Sequence, residues 1–499
     1  MAIYKEITET KSGHKIPVFL SGRTMESRYN PVRDAENLLN TINDAADYFL
    51  VLGTGSGIFI KLLADKYPHA KILCLELYEE DLAFLSQLES IKELKKNPDI
   101  LFTSLKQLEQ NLIQTYLPAR YGNIKIIEEK AWLNENSRKI AEINSVLQKT
   151  LGIISADFSV QAHFGKIWLS NIINNSKLAE KNNTSLKEVF TPDSLKKIAV
   201  IIAAGPSLDK NIFLLSKREH YFIISTDTAS QSLIKNKIIP DIIVSIDGQS
   251  VSSNHFILSD AYNTKNILYA FDLCANDSAA RHMLEGGNKV SFFCSGHPLA
   301  SAINISCGSP LPFLFSGAGT VTITAVDLAI QAGFEKILIL GADFSYSDGK
   351  AYTSGSYLDS LYNKNSTKLS GSEQNFSKLM YRTELISLCE NIKTTEILRA
   401  YKKSLEEYLT SKNVSFNKAD DIYELKPLDI KASSFETIKS AADFTLKPFS
   451  KKLSELKPEE TEILLLPYIA WLRNNPSYKN YTYNELVKLA FNTIVSYNI

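Results

Sequence analysis

Four stretches of this chain have the residue types and spacing to handle a phosphorylated ligand. Gly205-Pro206-Ser207-Leu208 follows an apolar run at 198–204, and Asp227 ends a second run at 222–226. Ser316-Gly317-Ala318-Gly319-Thr320 opens a helical pattern with Val321, Ala325, Leu328, Ala329 and Ala332 on one face. Asp343-Phe344-Ser345-Tyr346 follows the run at 336–340, with Tyr352 six residues beyond Tyr346. Glycine-containing turns that lead into helices offer backbone N–H groups and positive dipole ends to an anion. Asp227 and Asp343 are of the type that accepts hydrogen bonds from ribose or sugar hydroxyls. Ser207, Thr320, Tyr346 and Tyr352 are of the type that donates to a phosphate. Each feature has a plainer reading: a helix start for the Gly-Pro-Ser-Leu turn, an N-cap for a strand-end Asp, ordinary loop aromatics for the tyrosines. Their succession within one unit points to a ligand. Neither G-x-x-x-x-G-K-[ST] nor G-x-S-x-G occurs, so a Walker machine and a serine-hydrolase elbow are not indicated.

A second glycine turn lies nearer the N-terminus. The apolar run 48–52 leads into Gly53-Thr54-Gly55-Ser56-Gly57, the helical pattern IFIKLLADKY, a further run at 71–75, and Glu76. Strand, glycine turn, helix, strand and acidic residue is the βαβ arrangement of a nucleotide site, with Glu76 placed for a ribose hydroxyl. The pattern is G-x-G-x-G rather than G-x-G-x-x-G. It reads as a second nucleotide site or as a scaffold whose glycines serve packing alone.

The elements that must position these residues alternate. Runs at 198–204, 222–226, 242–246, 266–271, 290–293 and 336–340 read as buried strands separated by helices. The expected fold is α/β, with two Rossmann-like parallel-sheet units, a helical linker and a helical C-terminal region. The boundaries drawn are 1–125, 126–190, 191–371 and 372–499. The linker holds Trp132 and Trp168 and closes on the polar run KLAEKNNTSLKE at 177–188. In the last region, LMYRTELISLCENI and ILRAYKKSLEEYLTSK read as helices, 413–430 as extended, and ETEILLLPYIAWL (460–472) as an apolar helix docked on the body.

Composition narrows the function. At roughly 150 residues per domain, 499 residues make about three domains. Lys and Arg number 55, as do Asp and Glu, and this zero net charge argues against a nucleic-acid coat or a basic membrane binder. No run approaches the ~18 apolar residues of a membrane span, and the N-terminus lacks the apolar core of a secretory signal. The five cysteines, at 74, 274, 294, 307 and 389, form no C-x-x-C pair, and the seven histidines form no close pair. Free thiols in a reducing cytoplasm fit better than disulfides or zinc, and no metal is expected.

The run IIAAGPSL…STDTA…IIPDIIVSIDGQ…SGAGTVTITAVDLAIQAGFEKILILGADFSYSDGKAYTSGS resembles the central domain of the motility-associated factor (Maf) family of flagellin glycosyltransferases. SRYNPVRDAE (27–36) and the VLGTGSG turn are also similar to that family, so the resemblance covers roughly residues 20–360. It implies a cytoplasmic enzyme that moves a nonulosonic acid, of pseudaminic or legionaminic type, from a CMP-sugar to Ser or Thr of flagellin, in support of flagellar assembly and motility. The family's central domain is similar to bacterial sialyltransferases. In those, a Gly-Pro-Ser-Leu turn holds the nucleotide, a Ser-Gly turn opens the helix lining the donor site, and two tyrosines six residues apart contact the phosphate. Gly205–Leu208, Ser316-Gly317, and Tyr346 with Tyr352 match these in turn.

One departure concerns the base. The sialyltransferase base is a His after the tyrosine pair, and here no His follows His297. His297, Asp247 and Asp348 are the candidates. His297 has the plainer reading of a turn residue, Asp247 of a strand-end cap, and Asp348 of a member of the turn Ser347-Asp348-Gly349. Two other functions stay open. The central block also resembles archaeal-type 6-hydroxymethylpterin diphosphokinases, which transfer pyrophosphate from ATP. Such a reaction needs Mg²⁺ and a carboxylate cluster, for which Asp227, Asp247 and Asp343 are available. A non-catalytic flagellin-binding factor is the other. The oligomeric state is not indicated.

Overall fold

Two of the apolar runs flanked by glycine become the central strands of two parallel sheets. The computed structural model describes residues 2–42, 46–260, 264–307, 311–317, 319–364, 366, 371–419, 421–426 and 444–498. Contacts divide the chain into two units: residues 1–165 with 466–489, and residues 166–465 with 490–499. The region taken as a linker is dominated by one 42-residue helix, Ile140–Lys181, through which the first division passes.

In the first unit, β1 (Tyr4–Glu9) and β2 (Lys15–Phe19) form an antiparallel hairpin that the sequence reading had not assigned. A parallel sheet follows, of β3 (Tyr48–Leu52), β4 (Lys71–Glu76), β5 (Ile100–Ser104) and β6 (Ile124–Glu128), in the order β5-β4-β3-β6. Every residue of β3 is buried, as an unbroken apolar run in a parallel sheet requires. The helix Pro31–Asn40 is capped at its start. Asn30 accepts a hydrogen bond from the Arg33 N–H at 3.2 Å, and Pro31 takes the first position, where its missing N–H costs nothing.

The larger sheet of the second unit has eight strands among the described residues, in the order β11-β10-β9-β8-β7-β12-β17-β16. The parallel ones are β7 (Ile198–Ile202), β8 (Tyr221–Thr226), β9 (Ile242–Ser245), β10 (Leu268–Asp272), β11 (Lys289–Phe293) and β12 (Ile337–Leu340). The helix Val321–Ala332 is buried along nearly its whole length, its small and β-branched residues packing into the same core as β7, β8 and β9.

In the C-terminal region one segment read as a helix becomes largely strand. LMYRTELISLCENI contributes only the end of the helix Ser372–Met380. Its remainder supplies β14 (Ile386–Cys389) and the start of β15 (Ile392–Thr394), which with β13 (Tyr346–Ser347) make an antiparallel sheet. A short run such as Ile-Ser-Leu-Cys fits helix and strand periodicity alike, and pairing with neighbouring strands decides it. The extended segment forms β16 (Phe416–Ala419) and β17 (Ile422–Leu425), antiparallel additions beside β12. Its residues 427–430 lie outside the described ones. ILRAYKKSLEEYLTSK is the helix Glu396–Ser411, and ETEILLLPYIAWL ends in the helix Leu466–Asn474. No helix among the described residues is long and apolar enough to cross a membrane.

Candidate functional site

In the second unit β7 lies between β8 and β12, so strand order reverses there and a crevice opens at the carboxyl ends of β7 and β12. Both turns of the sequence reading meet at this point. The Gly205 N–H donates to the Gly341 carbonyl at 2.8 Å. A side chain at 205 would collide with that carbonyl and come within 2.6 Å of the Asp343 carboxyl carbon, so only glycine permits the approach. Asp343 then clamps the turn, accepting the Ser207 N–H at 2.7 Å on one oxygen and the Ser207 hydroxyl on the other. Burial raises the Asp343 pKa, and these bonds work against that rise.

The clamp changes the roles expected of these residues. Leu208 donates its N–H to Gly205, Pro206 has none, and Ser207 has spent both its donors. The Gly-Pro-Ser-Leu turn thus presents no unengaged backbone N–H, and each Asp343 oxygen already accepts one hydrogen bond from Ser207. Together they shape the crevice.

Unspent donors lie beside it. Tyr346, Tyr352, Tyr357 and Tyr401 are half-buried, and none of their hydroxyls has a hydrogen-bond partner among the described residues. Burial pushes Tyr352 up to about 12, with added repulsion from the other three and from Tyr362, so the five phenols form one neighbourhood. The loop that carries Tyr352 is pinned by Asp209, which accepts from Thr353 Oγ1 (2.6 Å), from Ser354 N and Oγ (both 2.8 Å) and from Lys350 Nζ (3.0 Å). Burial opposes ionisation of Asp209. Those bonds overcome it and hold the carboxyl below its usual range. Sequence reading passed over Asp209 because a lone Asp in a first helical turn is common.

The ends of β8 and β9 join this neighbourhood. Asp227 is buried, with one oxygen on Thr228 N (2.6 Å) and Thr228 Oγ1 (3.0 Å) and the other on Ser245 Oγ (2.7 Å), so it ties β8 to β9. Asp247 accepts the Gln249 N–H at 2.9 Å; burial raises its pKa, as does Asp227, while His255 counters. Tyr357 feels both carboxylates and sets its ring edge-on to His255, centroids 4.5 Å apart. His255 was missed: its sequence context, SSNHF, carries no motif.

The Ser316–Thr320 turn reaches the same place through Tyr401, which lies 3.7 Å from the position of a Cβ at Gly319. Asp327 anchors the turn by accepting the Phe315 N–H at 2.7 Å, while its other oxygen takes the Tyr408 hydroxyl at 2.5 Å. Tyr408 in turn stacks on Phe315. Ser316 Oγ donates to the Ser295 carbonyl at 3.4 Å, and Thr320 caps the helix by accepting from Thr322 N. Gly317 packs against the Phe315 ring, and Ala318 lies outside the described residues.

Two base candidates stand elsewhere. His297 caps the helix Pro298–Ser306, its Nδ1 accepting the Leu299 N–H at 3.2 Å. The remaining proton then belongs on Nε2, which is buried without a partner, and burial lowers its pKa to about 4. A neutral ring with its accepting nitrogen engaged is poorly set to take a proton. Asp348 is exposed, at φ +52°, in a tight turn where Ser347 and Lys350 exchange backbone bonds. These are the plainer roles, a cap and a turn.

The first unit's glycine turn also sits at a switch strand, β3, but its own chain fills it. Gly53, at φ +99°, would place a side chain 2.7 Å from the Trp132 indole. Gly55 faces Met25 and Glu26, and Gly57 faces Leu94 and Ile91. Glu26 accepts the Ser56 N–H at 2.5 Å, where an anionic ligand would bind. Glu76 is fully buried and accepts from Thr54 N (2.7 Å), Tyr4 Oη (3.1 Å) and Trp132 Nε1 (2.7 Å). Gly53, Gly55, Gly57 and Glu76 thus make these contacts within the chain, as the scaffold reading of this turn expects.

A family model described as 6-hydroxymethylpterin diphosphokinase MptE-like matches residues 168–349, within the second unit. An uncharacterized protein of Treponema pallidum (strain Nichols) is 36% identical over 153 residues, which are 30% of this chain and 70% of that protein. A second treponemal protein is 35% identical over 142 residues, 28% of this chain and 49% of its own length. Among solved structures, the Maf glycosyltransferase from Magnetospirillum magneticum AMB-1 matches with a TM-score of 0.50 at 12% identity, over 98% of this chain and 90% of that one. The chain thus belongs to the family of the first treponemal protein, carries an MptE-like domain, and shares the fold of a Maf glycosyltransferase, in line with the resemblance read from its motifs.

Proposed function

We propose that the protein is a cytoplasmic glycosyltransferase that moves a nonulosonic acid from a CMP-sugar to Ser or Thr hydroxyls of flagellin. The observation that carries this reading is the group of half-buried tyrosines, Tyr346 and Tyr352 foremost, whose hydroxyls have no partner among the described residues beside the switch-point crevice. Phenol donors fixed by packing stabilise a leaving phosphate at little reorganisation cost. The six-residue spacing of the pair and the shared Maf fold support the same reading. Asp343 and Ser207 shape the crevice, and Asp209 holds the loop that brings in Tyr352. A CMP ester of a nonulosonic acid leaves without a metal clamp, so no cofactor is required.

Titration calorimetry with CMP, without metal, tests this. We expect binding by the wild type and a loss of roughly a hundredfold or more in Tyr346→Phe/Tyr352→Phe, from two hydrogen bonds to a charged group at about 1.5 kcal/mol or more each. Unweakened binding in the double variant removes the tyrosines from the site.

The MptE-like match favours a second reading, pyrophosphate transfer from ATP with Mg²⁺. Both oxygens of Asp227 and of Asp343 already accept hydrogen bonds from neighbours, and no three acidic, His or Cys side chains gather for a metal among the described residues. Binding of ATP with Mg²⁺ but not of CMP would reverse the order of the two readings.

A further inference from the structure

His255 is the one imidazole of the tyrosine neighbourhood, and no role has yet been given to it. Its Nδ1 is out of solvent and has no hydrogen-bond partner among the described residues. Leaving a buried polar atom unbonded costs about 1–3 kcal/mol, so the ring keeps this place at a cost that no bond of Nδ1 repays. The residue is not loosely held. The segment Ser250–Asp260 is fastened to the helix Asp227–Lys235 by Gln231 Nε2 on the Asn254 carbonyl (2.6 Å) and Ser230 Oγ on the His255 carbonyl (3.3 Å). Ser252 Oγ joins it to the Asp247 carbonyl at 3.2 Å. The ring itself is braced by Tyr357, and the Asp247 charge acts on it. On the other packed helix, Asp277–Glu285, Asp277 and Arg281 pair with each other at 3.1 Å. A rigid imidazole beside a carboxylate, next to phenol donors, has the makings of a proton acceptor.

Resting on the glycosyltransferase reading, we propose that His255 is the catalytic base for the acceptor hydroxyl. In this step the acceptor oxygen bonds to the anomeric carbon as His255 takes its proton. The bond from that carbon to the phosphate oxygen breaks, and CMP leaves with the electron pair. Asp247 offsets the imidazolium charge until the proton passes to water. This gives Asp247, a candidate base from sequence, a positioning role and takes His297 and Asp348 out of the reaction.

The test measures transfer from a panel of CMP-nonulosonates to purified flagellin, alongside CMP calorimetry. His255→Gln is expected to bind CMP within twofold of wild type, with the donor KM unchanged and kcat down 100-fold or more. Imidazole added to His255→Ala should restore part of the rate. Wild-type kcat in His255→Gln, or a parallel loss of CMP binding, overturns the proposal. Should the variants not fold, ¹⁵N spectra of the wild-type histidines decide: the His255 ring signals should move when CMP and flagellin are added, and signals that stay put overturn it. A wild type that binds no CMP and transfers no sugar fells the glycosyltransferase reading itself, and this proposal with it.

Discussion

The two units place the same device at the same point. In each, a glycine turn ends the strand where sheet order reverses, and a carboxylate of the chain takes a backbone N–H of that turn: Glu26 on Ser56, Asp343 on Ser207. What surrounds the turn differs. In the first unit Trp132, Glu76 and Tyr4 close over it, each satisfied by the others. In the second, half-buried tyrosines and an orphaned imidazole nitrogen ring the crevice, with hydrogen-bonding capacity to spare. A glycine turn therefore marks a switch point, and the neighbouring side chains decide whether a ligand fits there.

The comparison breaks most visibly at Trp132. Trp132→Ala removes a fully buried indole and the donor to Glu76, and should cost about 3–5 kcal/mol. The melting temperature of the first unit should fall while CMP affinity holds. A new affinity for nucleotides in this variant would show a site merely plugged.

Acidity gives the next effect. Burial raises Glu76 from 4.5 to about 7, and Glu129 likewise, with Glu26 and Asp34 adding repulsion at Glu129. The folded state then holds a proton that the unfolded chain releases, so this contribution to stability is full below about pH 4.5 and is lost as pH rises through about 7. For Glu76 the difference is about 3 kcal/mol. Hydrogen exchange at the Thr54 amide should quicken across that range beyond its intrinsic pH dependence, and Glu76→Gln should flatten the excess. An unchanged excess would mean that Glu76 does not titrate there.

Much of this was legible because strands buried on both faces announce themselves as apolar runs. That holds for the six parallel strands of the second unit and for β3 and β4. The β1–β2 hairpin and β13–β15 were not, since short strands settle only on pairing. The bonds of Asp343 to Ser207 were not legible either, because a carboxylate that accepts from a neighbouring turn and one that accepts from a ligand look alike in sequence. His255 lacked any local signal: what distinguishes it is an unpartnered atom, a property of the fold.

Asp343→Ala sharpens the comparison from the other side. It leaves the Ser207 N–H and hydroxyl without their acceptor in a buried turn, a cost of about 2 kcal/mol. If the turn shapes the crevice, CMP affinity should drop roughly tenfold with the tyrosines untouched. Calorimetry that finds wild-type affinity would leave the clamp a purely structural tie, like that of Glu26 on Ser56.

Asp348 carries the smallest effect. Its backbone at φ +52° is costly for a residue with a Cβ and free for glycine. Asp348→Gly should therefore leave stability within about 1 kcal/mol, the relieved strain offsetting the greater freedom of the unfolded chain. Its carboxylate is exposed, away from any partner that the tyrosines share. Transfer by this variant at the wild-type rate, set against the loss expected in His255→Gln, separates a turn residue from a proton acceptor within one edge of one sheet. A hundredfold fall in kcat with CMP still bound would instead return Asp348 to the chemistry and make its strained backbone part of the site.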